Sequence, residues 1–145
     1  MPKDCPFCHI AKGLARAETV FEDDQVMTFV SWSPIRRGHL QVIPKQHFDY
    51  FDDLPEALAA RILHLGQALA KGMKALYGVE RVGFLFTGGD VKHVHAHVVP
   101  LYKKTDITSR LYIAEPDITF VPPFRLPSTE AAKVAAEIRE TCNLC

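Results

Sequence analysis

The sequence predicts an α+β domain built on an antiparallel sheet, and three observations lead to this prediction. The chain has 145 residues, which fits one domain with a sizeable core. Several short apolar segments are separated by turn residues, as is typical of strands joined by hairpins. Only one long segment has the three-to-four-residue apolar spacing of an amphipathic helix. We therefore expect a sheet of about five strands that packs against one dominant helix.

The first half of the chain predicts three strands. Thr19–Glu22 and residues 26–31 flank the pair Asp23-Asp24, which has the composition of a hairpin turn. The apolar segment Leu40–Pro44 predicts a third strand. All three precede the long helix.

The long helix is predicted from residue 54 to residue 76. Asp52 or Asp53 can cap its N-terminus, because a carboxylate accepts from the free N–H groups there. Pro55 suits the first turn, and Gly78 is a natural stop. The apolar face consists of Leu54, Leu58, Ile62, Leu65, Leu69, Met73 and Leu76.

The second half predicts two further strands and a second helix. Residues 83–86 and 93–101 form the strands, joined by the short turn 87–90. Residues 115–127 contain four prolines, so we expect this stretch to be extended and irregular. The last helix is predicted from Ser128 to about Glu140, with Glu130 in its first turn.

The charge balance excludes two classes of partner. Seventeen basic residues match seventeen acidic ones, so the chain lacks the electrostatic footprint for duplex nucleic acid or an anionic membrane. No apolar run could span a bilayer, and the first four residues lack the apolar segment of a signal peptide. These observations predict a soluble cytoplasmic protein.

The most informative feature is the run His93-Val94-His95-Ala96-His97. A period of two is the strand period, so we expect the three imidazoles to project from one face of the sheet. Nucleophilic or acid–base chemistry is the leading interpretation, because histidine titrates near neutral pH. A polar strand face without chemistry and a two-histidine catalytic metal site remain as alternatives.

Two C-x-x-C pairs lie at opposite ends of the chain, Cys5/Cys8 and Cys142/Cys145. Without a secretory signal we do not expect a disulfide framework, and no thioredoxin-like unit supports a redox role. Zinc is the favoured interpretation for Cys5 and Cys8, with two buried apolar thiols as the alternative. His47 can complete a Cys₂His₂ set if one histidine of the run joins it. The C-terminal pair can remain free thiols.

These motifs together resemble the histidine triad (HIT) family. The resemblance rests on the His-x-His-x-His run, on residues 38–47 (Gly-His-Leu-Gln-Val-Ile-Pro-Lys-Gln-His), and on the opening Cys-Pro-Phe-Cys-His-Ile. The three motifs occur in the family's order and span residues 5–102. The resemblance implies a five-stranded antiparallel sheet, joined across the interface of a homodimer. It also implies residues 1–115 as the HIT domain, with 116–145 as a proline-rich extension and C-terminal helix packed on it.

The family's chemistry is hydrolysis or transfer at the α-phosphorus of a nucleotide. By motif position His95 is the nucleophile, while His97 and His39 contact phosphate oxygens or protonate the leaving group. In members with an N-terminal C-x-x-C the zinc is structural. The resemblance then assigns its ligands as Cys5, Cys8, His47 and His93.

The chain departs from the family pattern at positions that bear on substrate. HIT hydrolases usually carry Gly-Gln-Ser or Gly-Gln-Thr before the triad, where this chain has Gly88-Gly89-Asp90. Ser31 stands where an acidic residue or Asn is expected at the ribose, and Trp32 can wall the base pocket.

The expected small-molecule substrate is a nucleoside phosphoramidate, an adenylylated amine or a dinucleoside polyphosphate. The first alternative is a zinc-stabilised nucleotide-binding or partner-binding module with little turnover. A hydrolase that uses the triad to bind a catalytic zinc is the second alternative.

Overall fold

The computed structural model describes residues 4–103, 106 and 125–142. Within these ranges three α-helices and five strands follow one another in the chain, with a 3₁₀ turn at Phe51–Asp53 before the long helix. The helices are α1 (Pro6–Ala11), α2 (Glu56–Tyr77) and α3 (Ser128–Cys142). The strands are β1 (Thr19–Glu22), β2 (Val26–Val30), β3 (Leu40–Pro44), β4 (Arg81–Phe86) and β5 (Ala96–Leu101).

The five strands form one antiparallel sheet in the order β1-β2-β3-β5-β4. The last strand in the sequence, β5, lies between β3 and β4, so β4 is at one edge of the sheet. Val30 pairs with Leu40, Leu40 with Val98, and Val98 with Phe84, so one row of apolar side chains crosses four strands. The predicted α+β fold with about five antiparallel strands is confirmed.

Both faces of the sheet are covered, which explains why β2 is buried along its whole length. Val26 and Val30 belong to the main core, which α2 and α3 close. Met27 and Phe29 point to the opposite face and pack with residues of α1. Each fully buried aliphatic or aromatic side chain contributes about 1.5–3 kcal/mol relative to exposure, so both layers stabilise the sheet.

The long helix ends as predicted but begins differently. Gly78 follows its last residue in the left-handed region at φ 62°, a conformation that glycine adopts without strain. Pro55 precedes the helix as its N-cap, and neither Asp52 nor Asp53 caps it. The predicted aspartate cap is therefore wrong. The residue before Pro55 is extended, as proline requires, and this separates the aspartates from the helix.

Three strand boundaries and one helix differ from the sequence prediction. The second strand ends at Val30, one residue before the predicted end, and the fourth begins two residues early at Arg81. The helix α1 was not predicted. The last strand begins at Ala96 instead of residue 93, because the N–H of Val94 bonds to the carbonyl of Phe48 and not to a neighbouring strand.

The C-terminal helix packs in the groove beside α2. Ala131, Val134, Ala135 and Ile138 are buried in the main core. The predicted start at Ser128 is confirmed, and the helix runs two residues beyond the predicted end. Most of the predicted extended stretch 115–127, and Cys145, lie outside the described residues. No helix among the described residues is long and apolar enough to cross a membrane.

Candidate active site and metal centre

Four side chains from distant parts of the sequence converge at the start of α1. The Nδ1 atom of His93 lies 3.4 Å from Sγ of Cys5 and 3.1 Å from Nδ1 of His47. Sγ of Cys8 lies 3.3 Å from Nδ1 of His47. All four candidate ligand atoms lie within 4.8 Å of one another.

The local sequence explains how the two sulfurs meet. Cys5 caps α1, Pro6 is its first residue, and one helical turn brings Cys8 back beside Cys5. The N–H of Cys8 donates to Sγ of Cys5 at 3.5 Å. The C-x-x-C spacing therefore places both thiols on one side of the helix start, where they face the histidines.

This cluster, Cys5, Cys8, His47 and His93, has the donor set and the spacing of a tetrahedral zinc site. Zinc binds sulfur at about 2.3 Å and imidazole nitrogen at about 2.0–2.1 Å, which puts tetrahedral ligand atoms about 3.3–3.8 Å apart. The sulfur-to-nitrogen distances of 3.3–3.5 Å fall in this range, the nitrogen pair at 3.1 Å lies just below it, and all pairs lie within 4.8 Å. The four residues therefore fit zinc.

The outer nitrogens of both histidines are held by acceptors. Nε2 of His93 donates to the carbonyl of Pro44 at 2.9 Å, and Nε2 of His47 donates to Oδ1 of Asp49 at 3.0 Å. With the proton on Nε2, an imidazole has its Nδ1 lone pair available for the centre of the cluster. Lys92 lies 2.8 Å from Asp49 and is the largest cause that lowers the pKa of that carboxyl.

Electrostatics also favours a cation at the cluster. Burial, and after it the neighbouring Cys5, raises the pKa of Cys8 to about 11. Burial lowers the pKa of His93 to about 4, so the ring is neutral at pH 7 and can act as a ligand. A divalent cation would offset the charge of the Cys8 thiolate, which burial alone disfavours.

His95, the middle histidine of the run, is buried and has a defined tautomer. Its side chain is 3% exposed, and Nδ1 donates to the carbonyl of His93 at 2.7 Å. Because a neutral imidazole carries one proton, Nε2 retains its lone pair. The ring of Phe7 packs edge-on at 5.1 Å between centroids. A buried imidazole with one nitrogen fixed and the other free has the arrangement of a nucleophile.

His97 pairs with His39, the residue directly before the neighbouring strand β3. Nε2 of His39 lies 2.9 Å from Nδ1 of His97. Burial, followed by the nearby imidazoles, lowers the pKa of His39 to about 3 and that of His97 to about 4. Both rings are therefore neutral at pH 7.

The three rings of the run do not form the regular row that the period of two predicts. His93 joins the cysteines, while His95 and His97 have ring centroids 4.8 Å apart, closer than the strand repeat of about 6.6–7 Å. Phe7 contacts the rings of both His93 and His95, and the ring of His95 contacts that of His97, so all three rings lie on the α1 side of the sheet, as expected. The regular spacing is lost because residues 93–95 precede the strand.

The profile described as HIT domain matches residues 12–104, which is more than half of the chain. This chain belongs to the HIT family. An uncharacterized HIT-like protein of Methanocaldococcus jannaschii is 31% identical over 103 residues, covering 68% of this chain and 80% of that protein. The adenosine 5'-monophosphoramidase of Saccharomyces cerevisiae is 30% identical over 113 residues, covering 77% of this chain and 70% of that protein.

A solved structure supports the same assignment. The zinc-bound histidine triad family protein of Mycobacterium smegmatis superposes with a TM-score of 0.75 at 25% identity, covering 97% of this chain and 94% of that one. The family resemblance and the HIT-like fold predicted from the sequence are thus confirmed. As a member of this family, the chain belongs with proteins that act on small nucleotides.

The predicted nucleotide contacts of this HIT protein lie on both sides of the histidines. The N–H of Ser31 donates to the carbonyl of His39 at 2.9 Å, so this buried serine adjoins the imidazole pair. Trp32 is 42% exposed, with its ring 6.5 Å from that of Phe29. The contact of Ser31 and Trp32 with a nucleotide stays a prediction.

The glycine pair lies on the other side, after β4. Gly88 has φ 68° and packs under the ring of Tyr50, where an added Cβ would approach to 3.2 Å. Gly89 is open to solvent, and the charge of exposed Asp90 acts on His97. This turn borders a cavity of about 180 Å³ that is lined by Asp49, Tyr50, Phe51, Asp52, Phe86, Thr87, Gly88, Val94 and His95.

Several neighbours of the imidazoles were not predicted as site residues, among them Phe7, Tyr50 and Phe51. Phe7 contacts both His93 and His95, and its position inside the C-x-x-C motif was the available signal. Nothing in the local pattern around Tyr50 and Phe51 indicated that this loop would border the cavity of His95.

Proposed function

We propose that this HIT protein hydrolyses nucleotides at the α-phosphorus through a nucleotidyl-histidine intermediate on His95. The observation that carries the proposal is the 2.7 Å bond from Nδ1 of His95 to the carbonyl of His93, which leaves Nε2 as the free nucleophilic atom. The yeast relative named as an adenosine 5'-monophosphoramidase supports the same chemistry.

The reaction has two steps. Nε2 of His95 forms a bond to phosphorus, and the bond from phosphorus to the leaving group breaks with its electron pair. The carbonyl of His93 stabilises the charge that develops on the imidazole. Water then attacks phosphorus and releases the nucleoside monophosphate and free His95. The neutral ring of His97 lies beside His95 and is held there by its hydrogen bond to His39.

We further propose that Cys5, Cys8, His47 and His93 hold a structural zinc ion. A closed four-ligand site supplies folding free energy and no reactive water. The donor set, the ligand spacing and the zinc-bound relative support this assignment. The ligand His93 also carries the carbonyl that orients His95, so the cluster lies one hydrogen bond from the nucleophile.

For the substrate we favour a nucleoside 5'-phosphoramidate over a dinucleoside polyphosphate. The carboxylate of Asp90 replaces the hydroxyl residue usual at this position, and a carboxylate repels a polyphosphate but tolerates an amine leaving group. In this proposal Ser31 contacts the ribose and Trp32 the base, while Gly88 and Gly89 offer backbone N–H groups to phosphate.

A single substitution tests the proposal. We expect His95→Asn to bind adenosine monophosphate but to lose hydrolysis of adenosine 5'-phosphoramidate, with diadenosine polyphosphate assayed in parallel. Rapid quenching of the wild type with radiolabelled substrate should trap acid-labile label on His95. Unchanged turnover in the variant would rule out covalent catalysis by this residue. Nucleotide binding without turnover in the wild type would instead favour a binding module.

We also propose a homodimer and a single folding unit. Within the described part of the chain, β4 is an edge strand with one side not paired to another strand, and a second copy can extend the sheet there across a dimer axis. Residues 1–115 form the HIT domain in this proposal, and the C-terminal part of 116–145 packs on it through α3. Sedimentation velocity of the intact chain should give a dimer mass, and a monomer at micromolar concentration would contradict it. The cytoplasmic location stays a prediction.

A further inference from the structure

One backbone amide sets the direction of a hydrogen-bond chain through the site. The N–H of Ile35 donates to Nδ1 of His39 at 3.0 Å. Because a neutral imidazole carries one proton, the proton of His39 is on Nε2. This N–H lies 2.9 Å from Nδ1 of His97 and donates to it. The loop before β3 therefore determines the tautomer of His39.

The hydrogen bond between His97 and Thr87 runs in the same direction, with His97 as the donor. Because Nδ1 of His97 accepts a bond, its single proton is on Nε2, 3.1 Å from Oγ1 of Thr87. The oxygen of Thr87 is then the acceptor, and its hydroxyl hydrogen points away from His97. The reverse direction would place the protons of His39 and His97 against each other across 2.9 Å, which two neutral rings do not tolerate.

Thr87 lies where this free hydroxyl hydrogen can meet a ligand. It directly follows β4, whose last residue Phe86 pairs with Ala96, so Thr87 and His95 occupy neighbouring positions on adjacent segments. Thr87 is exposed and borders the same 180 Å³ cavity as His95. A phosphoryl group bonded to His95 therefore lies within reach of this hydroxyl.

We propose that Thr87 is a hydrogen-bond donor to the substrate, and that His39 and His97 are positioning residues that orient it. The inference rests on the proposed function, because it takes the phosphoryl group on His95 as the ligand. Both ring nitrogens of His97 are already engaged, one with His39 and one with Thr87. The hydroxyl of Thr87 is thus the last donor in this series of hydrogen bonds, and it contacts a nonbridging phosphoryl oxygen.

Hydrogen bonds that run from Ile35 to Thr87 in this direction let Thr87 donate a hydrogen bond to the substrate, but they cannot replace a proton that Thr87 loses. If Thr87 lost its proton, His97 would replace it and His39 would replace the proton of His97. His39 would then be an anion whose Nδ1 still faces the amide of Ile35, which does not ionise at neutral pH. These bonds therefore do not protonate the departing group, and the role of Thr87 is to stabilise charge on the phosphoryl oxygens.

A pair of substitutions separates this role from a structural one. Thr87→Val keeps the shape of the side chain and removes the hydroxyl, whereas Thr87→Ser keeps the hydroxyl. We expect kcat/KM for adenosine 5'-phosphoramidate to fall about 100-fold in Thr87→Val, the usual loss for one oriented donor. Thr87→Ser should stay close to the wild type. Equal activity of the two variants would overturn the inference.

The direction of the chain has a readout that does not depend on turnover. Long-range ¹H–¹⁵N spectra of the zinc-loaded protein should place the proton of His97 on Nε2, and a proton on Nδ1 would refute the assignment. If the wild type does not hydrolyse the substrate, the proposed function is wrong, but these spectra still show whether the hydrogen bonds through His39, His97 and Thr87 run in the assigned direction. Affinity for adenosine monophosphate should then be about 10-fold weaker in Thr87→Val than in Thr87→Ser, and equal affinities would refute the contact with phosphate.

Discussion

Acid should lower the free energy of unfolding of this protein through His39, because this histidine is buried in its neutral form. Burial lowers the pKa of His39 to about 3 in the folded protein, against 6.5 in the unfolded chain. Below pH 6.5 the unfolded chain binds a proton that the folded protein excludes. The contribution of His39 to stability is therefore fully present above pH 6.5 and is lost as the pH falls toward 3.

The size of the loss follows from the same two pKa values. Each pH unit below 6.5 costs about 1.4 kcal/mol until the folded pKa is reached, so lowering the pH from 7 to 5 costs about 2 kcal/mol. His39 is 2% exposed, so screening by solvent reduces this value little. The neighbouring imidazoles of His95 and His97 add to the shift but come after burial in size.

Urea unfolding of the wild type and of His39→Leu at pH 7, 6 and 5 measures this effect. Acid also weakens zinc binding, but equally in both proteins, so the difference between them isolates His39. We expect the wild type to lose about 2 kcal/mol more than the variant between pH 7 and pH 5. Parallel pH profiles for the two proteins would refute the reasoning, whatever their absolute stabilities.

Three further substitutions test the metal centre and the packing. Cys5→Ser should abolish stoichiometric zinc in metal analysis and lower Tm, whereas Cys142→Ser should retain zinc; full retention in both would remove Cys5 from the ligand set. Gly38→Ala should lower the free energy of unfolding by about 2–3 kcal/mol, because φ is 89° and an added Cβ would lie 2.5 Å from a tyrosine ring of α2. Gly13→Ala, at φ 70° with open space around it, is the matched control and should cost about 1 kcal/mol. Gly72→Ala should cost about 1–3 kcal/mol by pressing on Sγ of Cys142, and Cys142→Ala should recover part of this loss in urea unfolding.

Much of the fold could be predicted because its signals are local. The apolar spacing of α2 and the left-handed glycine that ends it depend on neighbours in sequence, and both were identified correctly. The fifth strand was predicted three residues too long. Its alternating pattern continues through His93, but the ring of His93 bonds to Cys5, which is 88 residues away.

The candidate site likewise has features that the sequence predicted and others that it did not. Residue types and spacing in the C-x-x-C and His-x-His-x-His motifs singled out the chemistry, and the family resemblance supplied the roles. The direction of the bonds through His39, His97 and Thr87 could not be predicted. It depends on the backbone N–H of Ile35, and nothing in the sequence indicates that this group bonds to His39.

The sequence by itself determined the antiparallel α+β fold, the family and the residues that can do chemistry, because periodicity and residue type act over short distances along the chain. Only the tertiary structure decided which nitrogen of each histidine carries a proton and which histidine turns toward the cysteines. Those choices depend on donors and acceptors that become neighbours when strands and loops pack together. Their positions relative to one another are fixed by the whole core.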